Sequence, residues 1–228
     1  MHRSLGRLAL LVAVCGLVLS GCASAEDSAD SAGNTSPSAE AELTDAGGVV
    51  VTGADLSDDV GDDGSPVEVI VYEDFQCPYC GALEESVGDY LEDSLENGEI
   101  TVEYRIVSFL DQASQNEFSS RAANAALCVY DASGASAFFE FHGELFENQP
   151  EEGTSGPDDD QLGAYAEDSG ADVADCIADK AMADQVSAST QRMQQDDVTG
   201  TPTVIVDGEQ VEIGSDTAVQ DAVESALG

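Results

Sequence analysis

Val67-Glu68-Val69-Ile70-Val71-Tyr72, then Glu73-Asp74-Phe75-Gln76, then Cys77-Pro78-Tyr79-Cys80: this stretch decides the fold. The first run is rich in Val and Ile and bounded by Pro66, as a central strand is. After the cysteines, Ala82, Leu83, Val87, Tyr90, Leu91 and Leu95 recur at helical spacing. A strand, a short loop and two cysteines at the mouth of a helix make a thiol–disulfide site. Unpaired N–H groups and the partial positive charge of a helix N-terminus stabilise a thiolate on the first cysteine, and the thiolate is the nucleophile. The two-residue spacing lets Cys80 close a disulfide onto Cys77. Pro78 suits the first helical turn, where its missing N–H costs nothing.

Moving outward, the helix after the cysteines is expected to reach Glu96 and stop at Asn97-Gly98. Ile100 to Val107 reads as a second strand, so the order strand–helix–strand predicts a parallel pair with a right-handed crossover. Val49-Val50-Val51-Thr52 reads as a short opening strand. A helical region follows. Ser114 with Glu117 fits a capping box opening a helix to about Tyr130. Further helices are expected over 136–148, 160–168 and 172–195. Sheet character returns at Pro202-Thr-Val-Ile-Val-Asp207. Asp207-Gly208 is a strong hairpin signal, Val211-Glu-Ile213 returns, and Ser215 or Asp216 caps a last helix. The expected fold class is α/β: a βαβ half and a C-terminal hairpin–helix half, residues 49–111 and 197–228, with a helical insertion domain at 112–196.

The N-terminus reads as a targeting segment. Arg3 and Arg7 precede an apolar run from Leu8 to Leu19, too short to span a bilayer and suited to a secretory signal over 1–21. Leu19-Ser20-Gly21-Cys22 resembles the bacterial lipobox, which implies that Cys22 is lipidated and becomes the mature N-terminus. An ordinary signal peptide that happens to contain a cysteine is the plainer reading. Either one puts the chain outside the cytoplasm, where disulfides persist. Residues 22–48, acidic and without apolar period, read as a disordered tether. Of 228 residues, 6 are Lys or Arg and 47 are Asp or Glu, a formal charge of −41. That field excludes nucleic acid and anionic membrane surfaces as ligands. It fits either a heavily solvated surface or adaptation to high salt, where screening removes self-repulsion.

Taken together, Cys-x-x-Cys opening a helix, a helical insertion, and Gly200-Thr201-Pro202-Thr203 leading a strand resemble the DsbA-like branch of the thioredoxin superfamily, over residues 60 to 228. Tyr72 to Cys80, Arg121-Ala-Ala-Asn-Ala-Ala126 and Gly200 to Thr203 are most similar to the secreted or membrane-anchored members of high-GC Gram-positive bacteria. The resemblance implies an α/β thioredoxin-like fold and a protein disulfide oxidoreductase needing no cofactor and no metal. Cys77 would be the solvent-reachable attacking thiol and Cys80 the resolving one, forming the redox-active disulfide. Pro78 and Tyr79 between them, with the cis-proline pair Thr201-Pro202 facing them, would support the site. It also implies a structural disulfide between Cys128 and Cys176; two buried free thiols are the other reading. Its partners would be reduced or unfolded secreted proteins. A quinone-linked, vitamin K epoxide reductase-like membrane oxidase would reoxidise it.

The chain departs from the family pattern in two places. The acidic residue often buried beneath the resolving cysteine would fall at Val71. Glu73 and Asp74 are the nearest carboxylates and read more readily as loop residues than as proton acceptors. Pro-Tyr replaces the Pro-His of strongly oxidising members, so the direction stays open between oxidase and reductase or isomerase. A four-cysteine metal lipoprotein and a redox-silent scaffold are the remaining alternatives. His142, inside the aromatic segment, reads as packing or surface.

Overall fold

The computed structural model describes residues 42–58, 60 and 65–228. The signal segment, Cys22 and the tether as far as residue 41 lie outside the described residues. Among the described residues five strands form one sheet: β1 (Val49–Val51), β2 (Val67–Glu73), β3 (Ile100–Ile106), β4 (Thr203–Val206) and β5 (Glu209–Gln210), in the order β1-β3-β2-β4-β5. β2 and β3 are parallel, with Val71 opposite Tyr104, whereas β1 and β4 run antiparallel to their neighbours. A single helical turn, α1 (Gly53–Leu56), follows β1. The crossover from β2 to β3 is α2 (Pro78–Glu96), which lays Leu83, Val87, Leu91 and Leu95 on the core at i, i+4 spacing. Each such side chain is worth roughly 1.5–3 kcal/mol when fully buried. Asn97 caps the helix, and Gly98, at φ 73°, turns the chain back. This is the α/β arrangement expected from the sequence.

The β4–β5 hairpin turns on Asp207 and Gly208, both at positive φ (49° and 82°), as a type I′ turn demands. The return strand is shorter than expected. Val211 N–H still donates to the Val204 carbonyl at 2.8 Å, but Ile213 has left the sheet and is exposed. The register sets Thr203 opposite Tyr72. Thr201 and Pro202 therefore continue past the end of β2, toward the loop that carries Cys77.

Between β3 and β4 lie four helices: α3 (Phe118–Glu147), α4 (Asp159–Asp168), α5 (Ala174–Ala178) and α6 (Ala183–Gln195). The two helices expected over 114–130 and 136–148 are the arms of α3, bent at Gly134, whose φ is 82°. The expected capping box does not form. Glu117 is itself the residue before the helix, in the left-handed region at φ 54°, so it cannot occupy the third helical position. The Ser114 hydroxyl still accepts from Phe118 N–H at 2.9 Å. The single helix expected at 172–195 is broken into α5 and α6. Lys180 is left-handed at φ 51°, and the Met182 N–H is taken by Asn124 Oδ1 at 2.9 Å. Arg121 ties the start of α3 to the start of α4 through Asp159 and the Pro157 carbonyl, and to the residues before α3 through the Asn116 carbonyl. The motif around Arg121 and Asn124 thus fastens the helical segment to itself.

α6 is anchored to the sheet by the Tyr72 hydroxyl, which donates to Asp196 at 2.6 Å and accepts from Arg105 at 2.6 Å. The last helix, α7 (Ala218–Leu227), is preceded by Thr217, one residue beyond the expected caps Ser215 and Asp216. It buries Val219 and Val223. Residues 42–48, the end of the expected tether, are folded onto the domain. Thr44 donates to Glu103, the Tyr130 hydroxyl donates to the Glu42 carbonyl, and Ala46 is buried. Burial of Ala46 and the two side-chain hydrogen bonds, each worth about 0.5–1.5 kcal/mol net, hold this short segment against the domain. Among the described residues no helix is long and apolar enough to cross a membrane.

Candidate active site

β2 delivers the chain to a tight loop, and α2 begins at Pro78 with Cys77 as its N-cap. The loop is locked from several sides. The Asp74 carboxylate accepts from the N–H of Gln76 (2.9 Å), the hydroxyl of Ser119 (2.7 Å) and the N–H of Leu110 (2.8 Å). Gln149, just past α3, donates its amide to the carbonyls of Phe75 (3.1 Å) and Cys77 (2.9 Å). Gly81 permits that approach, since a Cβ there would lie 2.4 Å from Gln149 Oε1. Gln76 in turn donates to the Thr154 carbonyl at 3.1 Å.

Cys77 and Cys80 are free thiols, 4% and 2% exposed. Cys77 was expected to be solvent-reachable; almost all of its area is covered, so area hardly separates the two thiols. Electrostatics separates them. The Cys77 thiol is lowered to about 6, first by the hydrogen bond from the Cys80 thiol, against the cost of burial, and then by contacts to Thr201 and to the N–H groups of Cys80 and Tyr79. Those N–H groups belong to the first turn of α2, where the N–H groups lack the i−4 partner of a helix interior; that of Cys80 also donates to the Cys77 carbonyl at 3.0 Å. Burial pushes the Cys80 thiol far up, and the charges of Cys77 and Glu73 push the same way. One sulfur is therefore a ready nucleophile and leaving group; the other holds its proton.

The opposing wall is the Thr201–Pro202 peptide, which is cis. Cys77 Sγ lies 3.4 Å from the Thr201 carbonyl oxygen. Beside it a cavity of about 440 Å³ opens, lined by Tyr79, Leu83, Thr201, Pro202 and Ile213. Tyr79 is 75% exposed at its rim, and Pro78 lines a second groove on the other side of α2. Away from this site, Cys128 of α3 and Cys176 of α5 are bonded, with Cα atoms 6.0 Å apart. Joined to each other, they are not available with Cys77 and Cys80 for a four-cysteine metal cage, which needs free thiolates.

Two residues stand differently from their sequence reading. Glu73 and Asp74 read as loop residues; Glu73 instead ends β2, Asp74 does lie in the loop, and both are buried. Asp74 is satisfied by its three donors, and Glu73 Oε1 lies 2.7 Å from His142 Nε2. His142 is fully enclosed by Phe75, Tyr104, Phe138 and Phe146. A buried carboxylate needs a partner, and the one histidine on the aromatic arm of α3 supplies it. The signal available in the sequence is two chargeable residues, Glu73 at the end of the apolar run 69–72 and His142 among the phenylalanines of α3. Gln149 gave no such signal, because its contact spans 72 residues of sequence.

A thioredoxin-type sheet, a Cys-x-x-Cys at a helix mouth and a cis-proline facing it define the class of thiol–disulfide oxidoreductases. Residues 56–225 match the family described as Thioredoxin. The structure is similar to the reduced form of the disulfide bond oxidoreductase DsbG of Mycobacterium tuberculosis, with 33% identity and a TM-score of 0.68, covering 79% of this chain and 88% of that one. It is equally similar to oxidised DsbA of the same organism, at 33% identity and a TM-score of 0.67, covering 79% and 93%. Among curated proteins, 136 residues are 27% identical to the serine/threonine-protein kinase PknE of M. tuberculosis, covering 58% of this chain and 24% of the kinase. The chain thus spans about a quarter of the length of that relative. The chain belongs to the thioredoxin family, in its DsbA-like branch, and is a protein disulfide oxidoreductase.

Proposed function

We propose that the chain forms disulfides in reduced proteins outside the cytoplasm, through Cys77 and Cys80. The observation that carries this reading is the division of labour between the two thiols: Cys77 lowered to about 6 and Cys80 raised. A substrate thiolate attacks Cys77 Sγ of the Cys77–Cys80 disulfide. The S–S bond breaks, its electron pair stays on Cys80, and a mixed disulfide joins substrate and Cys77. A second substrate thiolate then attacks the substrate sulfur and expels Cys77 as a thiolate, leaving a substrate disulfide and a dithiol protein. A low Cys77 pKa makes that last departure easy and stabilises the dithiol form, so it favours the oxidising direction.

The cavity beside Thr201–Pro202, with Tyr79 and Ile213 at its edge, suits an extended peptide with apolar side chains near its cysteine. In this reading Pro78, Tyr79, Thr201 and Pro202 support the site, and Cys128–Cys176 braces the helical insertion at 112–196 against itself. The signal-like segment and Cys22 support anchoring at the outer face of the membrane. There, a quinone-linked oxidase of the vitamin K epoxide reductase type would remove the electrons. The second reading, a reductase or isomerase, uses the same residues and is favoured by Tyr79 standing where a histidine would stabilise the thiolate further.

One protein preparation, assayed for oxidation of a reduced peptide and for reduction of insulin at low and high salt, tests the direction. Peptide oxidation with little insulin reduction supports the oxidase reading. A protein found mainly as the dithiol in cells would overturn it.

A further inference from the structure

We propose that Tyr72 is the positioning residue that registers the two halves of the active site, the strand leading to Cys77 and the loop carrying Thr201 and Pro202. This rests on the assignment of Cys77 as the attacking thiol, and it holds for either direction of disulfide exchange.

Residues 197–202 join α6 to β4. Asp197 and Thr199 are exposed, and Val198, Gly200, Thr201 and Pro202 are half-buried. A Cβ on Gly200 would meet nothing within 4 Å. A surface segment packed this loosely is placed by what holds its ends. Tyr72 holds both of them. Its main chain lies opposite Thr203, the first residue of β4. Its hydroxyl donates at 2.6 Å to Oδ2 of Asp196, the residue that ends α6. The ring is fully buried with Met193 of α6, and Val198 of the loop packs on the same small cluster. Further bonds continue the hold inward from each end. Val198 N–H donates to the Met193 carbonyl at 3.0 Å, and the Thr203 hydroxyl donates to the Gly200 carbonyl at 2.9 Å.

The Tyr72 hydroxyl is itself aimed. Arg105, opposite it on β3, donates to the phenol oxygen at 2.6 Å and lies 5.1 Å from the centre of the ring. Glu103 fixes the guanidinium by accepting from Nε and Nη2, each at 2.8 Å. With Arg105 donating to the oxygen, the phenol proton points at Asp196. Arg192 holds the other Asp196 oxygen at 2.8 Å. Two of the six basic residues of the chain thus meet at one of its 47 acidic residues. Solvation of an acidic surface does not call for that concentration; fixing the end of a loop does.

Five residues after Tyr72 the same stretch of chain reaches Cys77. Across the site, the Thr201 carbonyl oxygen lies 3.4 Å from Cys77 Sγ. An extended substrate lying along Thr201 must bring its own cysteine to that sulfur, so its rate depends on how the two halves are set. A misplacement of about 1 Å can cost about a hundredfold. A small thiol, with no main chain to lay along the loop, does not feel the displacement.

The test uses the oxidised full chain and two attacking thiols, a reduced cysteine peptide with apolar neighbours and dithiothreitol. Tyr72→Phe keeps the ring and removes the hydroxyl. It is expected to slow attack by the peptide roughly tenfold and to leave the dithiothreitol rate within about twofold of the parent's. Asp196→Ala should do the same. Asp196→Asn, which keeps an acceptor oxygen, should recover most of the parent's rate. Tyr72→Phe combined with Asp196→Ala should be no slower than either alone, because one contact is lost in each. Peptide rates at the parent's level in both single variants overturn the proposal. So does equal slowing toward both thiols, which a merely loosened fold would give, and so do additive losses in the double variant. Should Tyr72→Phe fail to fold, Asp196→Ala decides by the same ratio of peptide to dithiothreitol rates, since the Asp196 side chain is 24% exposed. If the peptide, offered as its disulfide, is captured by Cys77→Ser and not by Cys80→Ser, the thiol assignment itself falls and takes this proposal with it.

Discussion

Gln149 Nε2 sits 2.9 Å from the carbonyl oxygen of Cys77 and 3.1 Å from that of Phe75, so one side chain past the end of α3 closes the loop that presents the nucleophile. Two loop carbonyls depend on this amide. Gln149→Ala is expected to cost about 1–3 kcal/mol, the range for leaving buried polar groups unpaired. Gly81→Ala should reproduce that loss, because the new Cβ would displace Gln149. Urea unfolding of the two single variants and the double variant checks this. Additive losses would mean that Gly81 and Gln149 do not act through one contact.

The titration of Cys77 has a defined sign. Its folded pKa, about 6, lies below the ordinary value of 9.0. It therefore stabilises the folded dithiol form fully above pH about 9, and that stability is lost as pH falls through about 6. The disulfide form has no such group. The stability gap between dithiol and disulfide forms is expected to shift toward the disulfide as pH drops from 9 to 6. Thermal unfolding of both forms across that range reads the shift. Iodoacetamide alkylation should rise with a midpoint near 6 and mark Cys77 alone.

Cys128 and Cys176 are 48 residues apart in sequence and bonded across α3 and α5. A closed loop of that length is worth roughly 4 kcal/mol in the chain-entropy view. The double variant Cys128→Ser with Cys176→Ser is expected to lose about that much in guanidinium unfolding. It should keep the Cys77 alkylation profile, since the bridge lies away from the site. A changed alkylation midpoint would show that the helical segment is tied to the site through this bridge.

The charge of −41 sets the salt response. Seven carboxylates, Glu84, Glu85, Asp89, Glu92, Glu140, Glu144 and Glu147, face one groove between α2 and α3. The Debye length falls from about 10 Å at 0.1 M to about 3 Å at 1 M salt, which removes most of their repulsion. Stability is expected to rise steadily from low to molar sodium chloride. A midpoint of unfolding that is flat or falls with salt would argue against adaptation to high salt.

Local pattern determined a good deal of this protein. The β-branched run 67–72, the helix mouth at Cys77, the parallel partner at 100–106 and the Asp207-Gly208 turn are each set by neighbours within a few residues. Their backbone preferences and side-chain periods agree with the final fold, so the α/β order and the cysteine pair were legible without coordinates. What local pattern misjudged was breakage and burial. A helix over 172–195 looked continuous because periodicity cannot see Asn124 claiming the Met182 N–H from 58 residues away. Residues 42–48 looked like tether because Glu103 and Tyr130 supply their partners from elsewhere in the chain.

The site divides the same way. Sequence alone determined that a nucleophilic cysteine stands at a helix N-terminus, since the four orphan N–H groups come with any helix. Only the tertiary structure decided that Glu73 is buried, that His142 is its partner across 69 residues, and that Gln149 holds the loop. Ion pairs and hydrogen bonds between distant segments depend on how α3 is laid against β2 and α2. That placement is chosen by the packing of the whole core, which no window of sequence contains.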